Sequence, residues 1–327
     1  MKRREMLKAT GAAATASAMG LAGCNSVPFL GGDDGSTGSF SAVSSWLPEP
    51  GEISDGLNHY SFSARTPSGI YSAVDDTLWK SSQRVSTEFG SLPSEDVEYR
   101  ISMNARVSSE DSFGSSDFEA TIYTGSFDAD WIGDKIEYGA GYATTSEMTD
   151  SRTLFRQENA GESNLDAFVV DENENVVINI GGNDQTDTLP TAEGVAELLF
   201  DANAGEVPTY TETSDMSELA SGLSMGHTIS ASTQNETELS GDQGPENGRL
   251  GGTVAQGTTY TVNGTDVDIT RVIVFDEERD VDENDIKTYI AESGEFTRAE
   301  ERPSYSISGR RVSIEWTTGG VVSSVLY

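Results

Sequence analysis

The chain has 327 residues, 35% hydrophobic and 8% aromatic, enough for one large domain or two modest ones and too aromatic for a wholly disordered polymer. Its 55 Asp and Glu stand against 20 Lys and Arg, a formal charge of −35, which disfavours nucleic acid as a partner because phosphate contacts need basic surface. One cysteine excludes an internal disulfide and any multi-cysteine metal site.

The N-terminus opens Met1-Lys2-Arg3-Arg4-Glu5-Met6-Leu7-Lys8. An arginine pair followed by two apolar residues and a lysine resembles the twin-arginine (Tat) export signal, with Arg3 and Arg4 as its pair. The small, uncharged residues from Ala9 to Ala22 are too few to cross about 30 Å of hydrocarbon comfortably, and they read as the apolar core of a signal peptide. Leu21-Ala22-Gly23-Cys24 resembles a lipobox. That resemblance implies a lipid on the Cys24 thiol and cleavage of the bond before it. The competing reading of Cys24 is a buried cysteine in a cytoplasmic helix. The expected organisation is a signal peptide over 1–23, a lipidated Cys24 with a flexible tether over 24–52, a first α+β unit over 53–205 and a second over 206–327.

The tether is rich in Gly and Ser, which give flexible coil. Phe29, Phe40, Trp46 and Leu47 interrupt it; the sequence leaves open whether they dock on the domain or dip into lipid. Order is expected to begin near Leu57, where 57–64 alternates like a half-buried strand. Pro67 starts a helix with Ile70, Val74 and Leu78 on one face. Val97, Tyr99, Ile101 and Met103 line one side of a strand, and 118–123 form another. A pattern then occurs twice: a strand, a Phe-Asp pair (Phe127-Asp128 and Phe275-Asp276), a helix (Ile132, Ile136; Ile286, Ile290), glycine, an aromatic residue, and short strands. It reads either as two related α+β units in tandem or as unrelated segments with common punctuation. Between them, helices are predicted from Thr191 to about Ala204, with Gly205 as the left-handed stop, and within 209–225. Residues 234–252 read as a long polar surface loop. The fold class is therefore α+β, mainly antiparallel sheet with a few helices.

Chemistry-bearing motifs are sparse. His59 and His227 are 168 positions apart and form no local metal motif. Nucleophile elbow, P-loop and dinucleotide patterns are absent from the sequence. The run Asp280–Asp285 has Asp285 where a calcium loop needs Gly and Ala291 where it needs Glu, so it reads as a helix cap at Asp282. No catalytic residue, metal ligand or cofactor is assigned. Asn235-Glu236-Thr237 and Asn263-Gly264-Thr265 fit the N-glycosylation sequon, and Asn263-Gly264 also suits a tight hairpin turn.

Acids are spread along the chain, and Lys80, Lys135 and Lys287 are the lysines after Cys24. Self-repulsion of such a charge opposes compaction, and molar salt screens it. The alternative is an acidic protein that binds cations or basic partners; the even spread favours a halophile. On leader, lipobox and composition, the chain resembles the twin-arginine lipoproteins of haloarchaea. That resemblance implies export, a membrane partner through the lipid on Cys24, and residence on the outer face of the cytoplasmic membrane. A non-catalytic binding or structural role at the cell surface is the expectation, with a solute receptor and a surface hydrolase as alternatives. The protein or small-molecule partner is unassigned, and nucleic acid is not expected.

Overall fold

The computed structural model describes residues 39–74, 84–108, 115–139, 142–157, 164–183, 189–241 and 243–319. The elements in chain order are α1 (Phe40–Ser44), α2 (Pro50–Ile53), β1 (Ser61–Arg65), α3 (Pro67–Ala73), β2 (Arg84–Thr87), β3 (Gly90–Pro93), β4 (Val97–Ser108), β5 (Ser115–Gly125), α4 (Ala129–Asp134), β6 (Ala143–Glu147), β7 (Arg152–Arg156), β8 (Ala167–Asp171), β9 (Val176–Asn183), α5 (Ala192–Asn203), α6 (Ser214–Gly222), β10 (Thr228–Thr233), β11 (Thr253–Asn263), β12 (Asp266–Phe275), α7 (Glu283–Glu292), β13 (Ser304–Ser308) and β14 (Arg311–Gly319). This is an α+β fold. Twelve strands form one antiparallel sheet in the order β13-β14-β12-β11-β10-β1-β4-β5-β9-β8-β7-β6, and β2–β3 is a separate hairpin.

The sheet is centred on β1 and β10, which pair with Ser63 opposite Ser230. Outward from that pair, the same connections occur on both sides. β4 and β5 form a hairpin, α4 follows, and the chain returns to lay β9 against β5. β11 and β12 form a hairpin, α7 follows, and the chain returns to lay β14 against β12. β6 and β7 extend the first half at its edge. Residues 53–205 and 206–327 thus contribute neighbouring halves of one sheet.

Alternation along each strand feeds two cores. On the first face, Ile101, Ile122, Ile178, Val272 and Val274 pack with Val195 and Leu199 of α5 and Met216 and Leu219 of α6. On the second, Tyr123, Phe168 and Val177 pack with Ile132 of α4 and Phe89 of the β2–β3 turn. Ile273, Phe275 and Val312 pack there with Ile286, Tyr289 and Ile290 of α7. β8 is buried along its whole length because both of its faces are covered.

Local chemistry sets the helix ends. The Thr191 hydroxyl accepts from the Gly194 amide at 3.2 Å to start α5. Gly205, at φ 73°, stops it, and the Glu206 amide donates back to the Asp201 carbonyl at 2.8 Å. The Asp282 carboxylate accepts from the Asn284 amide at 2.7 Å, so the acidic run caps α7. Asp128 does the same for α4 by accepting from the Trp131 amide at 3.0 Å. After α4, a π turn over Lys135–Gly139 keeps Ile136 in the core.

Several expectations need correction. Val97 does not share a face with Tyr99, because the ladder shifts between them: Val97 faces Gly125 and Tyr99 faces Thr124. The extra residue, Glu98, forms a bulge that turns Val97 towards α4 and Tyr99 towards the other core. Gly125 is fitted to that bulge, since a Cβ there would lie 2.0 Å from the Asp96 carbonyl oxygen. Order begins well before Leu57. α1 and α2 dock through Val43, Trp46, Leu47 and Ile53, all buried, and the Tyr210 amide donates to the Leu47 carbonyl at 2.7 Å. His59 lies just outside β1, because the next amide, that of Tyr60, donates to a tyrosine hydroxyl instead of a strand. The described residues of 234–252 do form the expected, largely exposed loop, anchored where Leu250 is buried in the α7 core and the Gly252 amide donates to the Thr237 carbonyl at 3.0 Å. Phe29 and Leu78 lie outside the described residues.

Candidate functional site

On the second face, apolar side chains end towards the middle of the sheet and small polar ones take over. Registers align them in a row across seven strands: Asn179, Thr121, Ser102, Ser63, Ser230, Thr258 and Arg271. A second row runs beside it through Glu119, Asn104, Ser61, Ser232 and Gln256. α4 with the β2–β3 turn packs on one side of these rows and α7 on the other, leaving the floor between them open. The space above it is a cavity of about 460 Å³ over the β9–β10 side, with Glu88 and Arg100 on its margin. A further 230 Å³ lies over Ser230, Ser232, Gln256 and Thr258 and reaches Arg271.

Electrostatics differ at Arg271 and Arg100. At the α7 end, Arg271 ion-pairs with Glu295, donates to Gln256 Oε1 at 3.0 Å, and sits 5.7 Å from the Tyr289 ring centre. The Tyr289 hydroxyl donates to the same Glu295 carboxylate at 2.6 Å. Burial raises the Tyr289 phenol well above its usual range, so it stays a neutral donor. On β4, in the row next to Ser102, Arg100 lies 5.8 Å from the Tyr123 ring centre. Burial pushes Tyr123 up to about 12, with Arg100 pulling the other way. Arg100 Nε is buried with no hydrogen-bond partner among the described residues. Along the floor, the Ser102 and Thr121 hydroxyls hydrogen-bond to each other at 3.1 Å.

This floor supplies hydroxyl and amide donors and acceptors at strand spacing, with the Glu119 carboxylate in its second row, Arg271 at its β12 end and Arg100 in the adjoining row on β4. Among the described residues no floor hydroxyl is hydrogen-bonded to a base, and the Ser102 partner is another hydroxyl. His227 is buried elsewhere, where its Nδ1 accepts from the Val262 amide at 2.9 Å. Asn235 and Asn263 are both exposed and stand at opposite ends of β11, with Gly264 making the β11–β12 turn at φ 64°. Arg3, Arg4 and Cys24 lie outside the described residues. Among the described residues no helix is long and apolar enough to cross a membrane, and no three His, Cys, Asp or Glu are grouped to hold a metal.

Nothing in the sequence singled out the floor. Its signal was the recurrence of Ser and Thr at alternate positions of β1 and β10, with Arg100, Ser102 and Asn104 alternating on β4, which is also what a solvent-facing strand shows. No family model matches the chain, and no curated protein matches it. Among solved structures, crystal form IV of TP0453 is similar at a TM-score of 0.46 and 10% identity, covering 86% of this chain and 99% of that one. Crystal form I of the same protein gives 0.44 and 10%, covering 86% and 98%, and form III gives 0.42 and 9%, covering 85% and 97%.

Proposed function

We propose that this is a lipid-anchored, Tat-exported protein on the outer face of the cytoplasmic membrane of a halophile, and that its domain binds small polar solutes on the open floor of the sheet. The observation that carries the binding role is the row of hydroxyl and amide side chains from Asn179 to Thr258, held in register between two helix-covered flanks. A rigid sheet fixes such groups more closely than loops do, which suits recognition of a ligand rich in hydrogen-bonding groups. The role is non-catalytic in this reading, because no floor hydroxyl is hydrogen-bonded to a base among the described residues. The anchor rests on Arg3, Arg4 and the Leu21–Cys24 box.

Two arms test it. Native cells expressing the wild type or Cys24→Ala are fractionated; the wild type is expected with the membrane and the variant in the medium or soluble fraction. Equal membrane retention would defeat the anchor. Purified protein in molar KCl is then titrated with monosaccharides and sugar acids by calorimetry, with Ser102→Val as control. Binding is expected in the wild type and weakened in the variant; binding unchanged by Ser102→Val would move the site elsewhere.

A further inference from the structure

We infer that the groove takes a small polyhydroxylated carboxylic acid, a sugar acid in chemical class, with its carboxylate at Arg100 and its hydroxyls along the serine and threonine row. This rests on the solute-binding reading above and gives it a charge and an orientation.

The starting observation is a register. Arg65 of β1 stands directly opposite Arg100 of β4 on the groove face. Directly opposed residues hold their Cβ atoms about 5 Å apart, and like charges there destabilise a sheet. Burial, and next the Arg100 charge, lower the Arg65 pKa from its usual value. Two guanidinium groups are thus placed together in a chain that has 55 acids to offset 20 bases.

The two cations beside the row are not equivalent. Arg271 has its carboxylate, Glu295, and an amide oxygen from Gln256. Arg100 ion-pairs with no carboxylate among the described residues, and its nearest aromatic partner, Tyr123, brings no counter-charge. Its Nε is a buried donor with no acceptor among the described residues, as is that of Arg271, so the missing carboxylate is what separates the two. A planar carboxylate can take two parallel N–H bonds from one guanidinium, the strongest arrangement open to this side chain. The ligand carboxylate therefore sits at Arg100.

The remaining floor selects the rest of the ligand. Ser63, Ser102 and Thr121 lie next to Arg100 in the adjoining row and offer both donors and acceptors. Glu119, one row further, accepts from ligand hydroxyls and repels a second carboxylate; Glu88 does the same at the margin. A volume of about 460 Å³ falls within the range of small-molecule pockets, roughly 300–1,000 Å³.

Galacturonate and galactose share a ring and differ in the carboxylate, so they separate the two layers of the claim. Full-length protein in molar KCl is titrated with each by calorimetry, together with serine as a non-sugar carboxylate. Galacturonate is expected to bind about ten to a hundredfold tighter than galactose, the range for a hydrogen-bonded charge. Arg100→Gln should bring the two within about threefold, and Arg100→Lys should fall between, because it keeps the charge and loses the fork. Galactose binding as tightly as galacturonate overturns the inference and leaves the solute-binding reading intact. Serine binding better than galacturonate overturns the sugar-acid class. Galacturonate selectivity that survives in a folded Arg100→Gln overturns the assignment of Arg100; if that variant does not fold, selectivity undiminished in Arg100→Lys does so. No binding of any of the three overturns both layers.

Discussion

The Tyr60 amide donates to the hydroxyl of Tyr210, 150 residues away, at 3.1 Å, and that hydroxyl donates back to the Tyr60 carbonyl at 3.1 Å. It also receives the Thr233 amide at 3.3 Å and touches the Thr233 hydroxyl. One phenol therefore satisfies the backbone where β1 begins and β10 ends, at the centre of the sheet. The Tyr60 ring lies on Tyr210 with centroids 4.2 Å apart, and its own hydroxyl donates to the Pro48 carbonyl at 2.8 Å. Burial raises both phenols, most strongly Tyr60, so both stay neutral donors.

Tyr210→Phe keeps the ring and leaves buried amides of Tyr60 and Thr233 without acceptors. Each such orphan costs about 1–3 kcal/mol, so the variant should lose roughly 2–4 kcal/mol. Tyr60→Phe loses one bond and should lose about 1–2 kcal/mol. Denaturant titration checks both, and a Tyr210→Phe loss no larger than that of Tyr60→Phe would remove the central role given to Tyr210.

His227 makes stability depend on pH. Burial pushes its pKa from 6.5 down to about 4, and its neutral Nδ1 accepts from Val262. Above about 6.5 the imidazole is neutral in both folded and unfolded chains and contributes no slope. Below that the unfolded chain takes up a proton the folded one refuses, so stability falls as pH drops from about 6.5 to about 4, by up to about 3 kcal/mol. His227→Asn retains an acceptor for the Val262 amide and does not titrate. The stability difference between wild type and His227→Asn should therefore shift against the wild type between pH 7.5 and pH 5. A difference constant over that interval would mean that His227 does not titrate as described.

Helix ends were legible because their chemistry is local. Thr191 and Gly205 bracket α5, and Asp282 caps α7, from interactions within a few residues. The Asn263-Gly264 turn was legible for the same reason. Val97 was not, because the bulge that turns it depends on Gly125 and the Asp96 carbonyl, which meet only after β4 and β5 pair. Trp46 and Leu47 could equally have met lipid; what decides their place is a surface made by α5 and by residues near Tyr210. The floor was hidden because Ser63, Ser102 and Ser230 are ordinary outward residues until the sheet order brings their strands side by side. Arg65 and Arg100 were likewise unremarkable until the register set them opposite each other.

Asp171 is nearly fully buried and receives three hydrogen bonds. Arg152 Nε donates at 2.7 Å, and the amides of Asn173 and Glu174 donate at 3.0 and 3.1 Å. Those amides fix the turn after β8, in which Asn175 takes φ 51°. The Arg152 guanidinium also lies over the Phe200 ring of α5, 3.6 Å from its centre. Asp171→Ala strands a half-buried cation and two amides, and should cost about 3–5 kcal/mol in denaturant titration. Arg152→Met keeps contact with Phe200 but leaves the carboxylate without its cation, so it should also be strongly destabilising. A double variant should be less unstable than the sum of the two, and strict additivity would show that the pair is not coupled.

A charge of −35 also sets how the fold responds to salt. Acids far outnumber bases, and among the described residues the exposed ion pairs, such as Lys287 with Glu283 at 3.0 Å, are few. At 0.1 M salt the Debye length is about 10 Å, so neighbouring carboxylates repel across the surface; at 1 M it is about 3 Å and the repulsion is screened. The same screening weakens exposed ion pairs, but each is worth at most about 1 kcal/mol. Arg152–Asp171 is shielded from salt by burial. Repulsion therefore dominates the response, and the thermal midpoint should rise steadily from 0.1 M to molar KCl. Replacing surface glutamates with glutamine, for example at Glu236, Glu238 and Glu246, should raise the midpoint at low salt and flatten its salt dependence. A midpoint that falls with KCl would mean that attractive surface pairs outweigh the excess of acids.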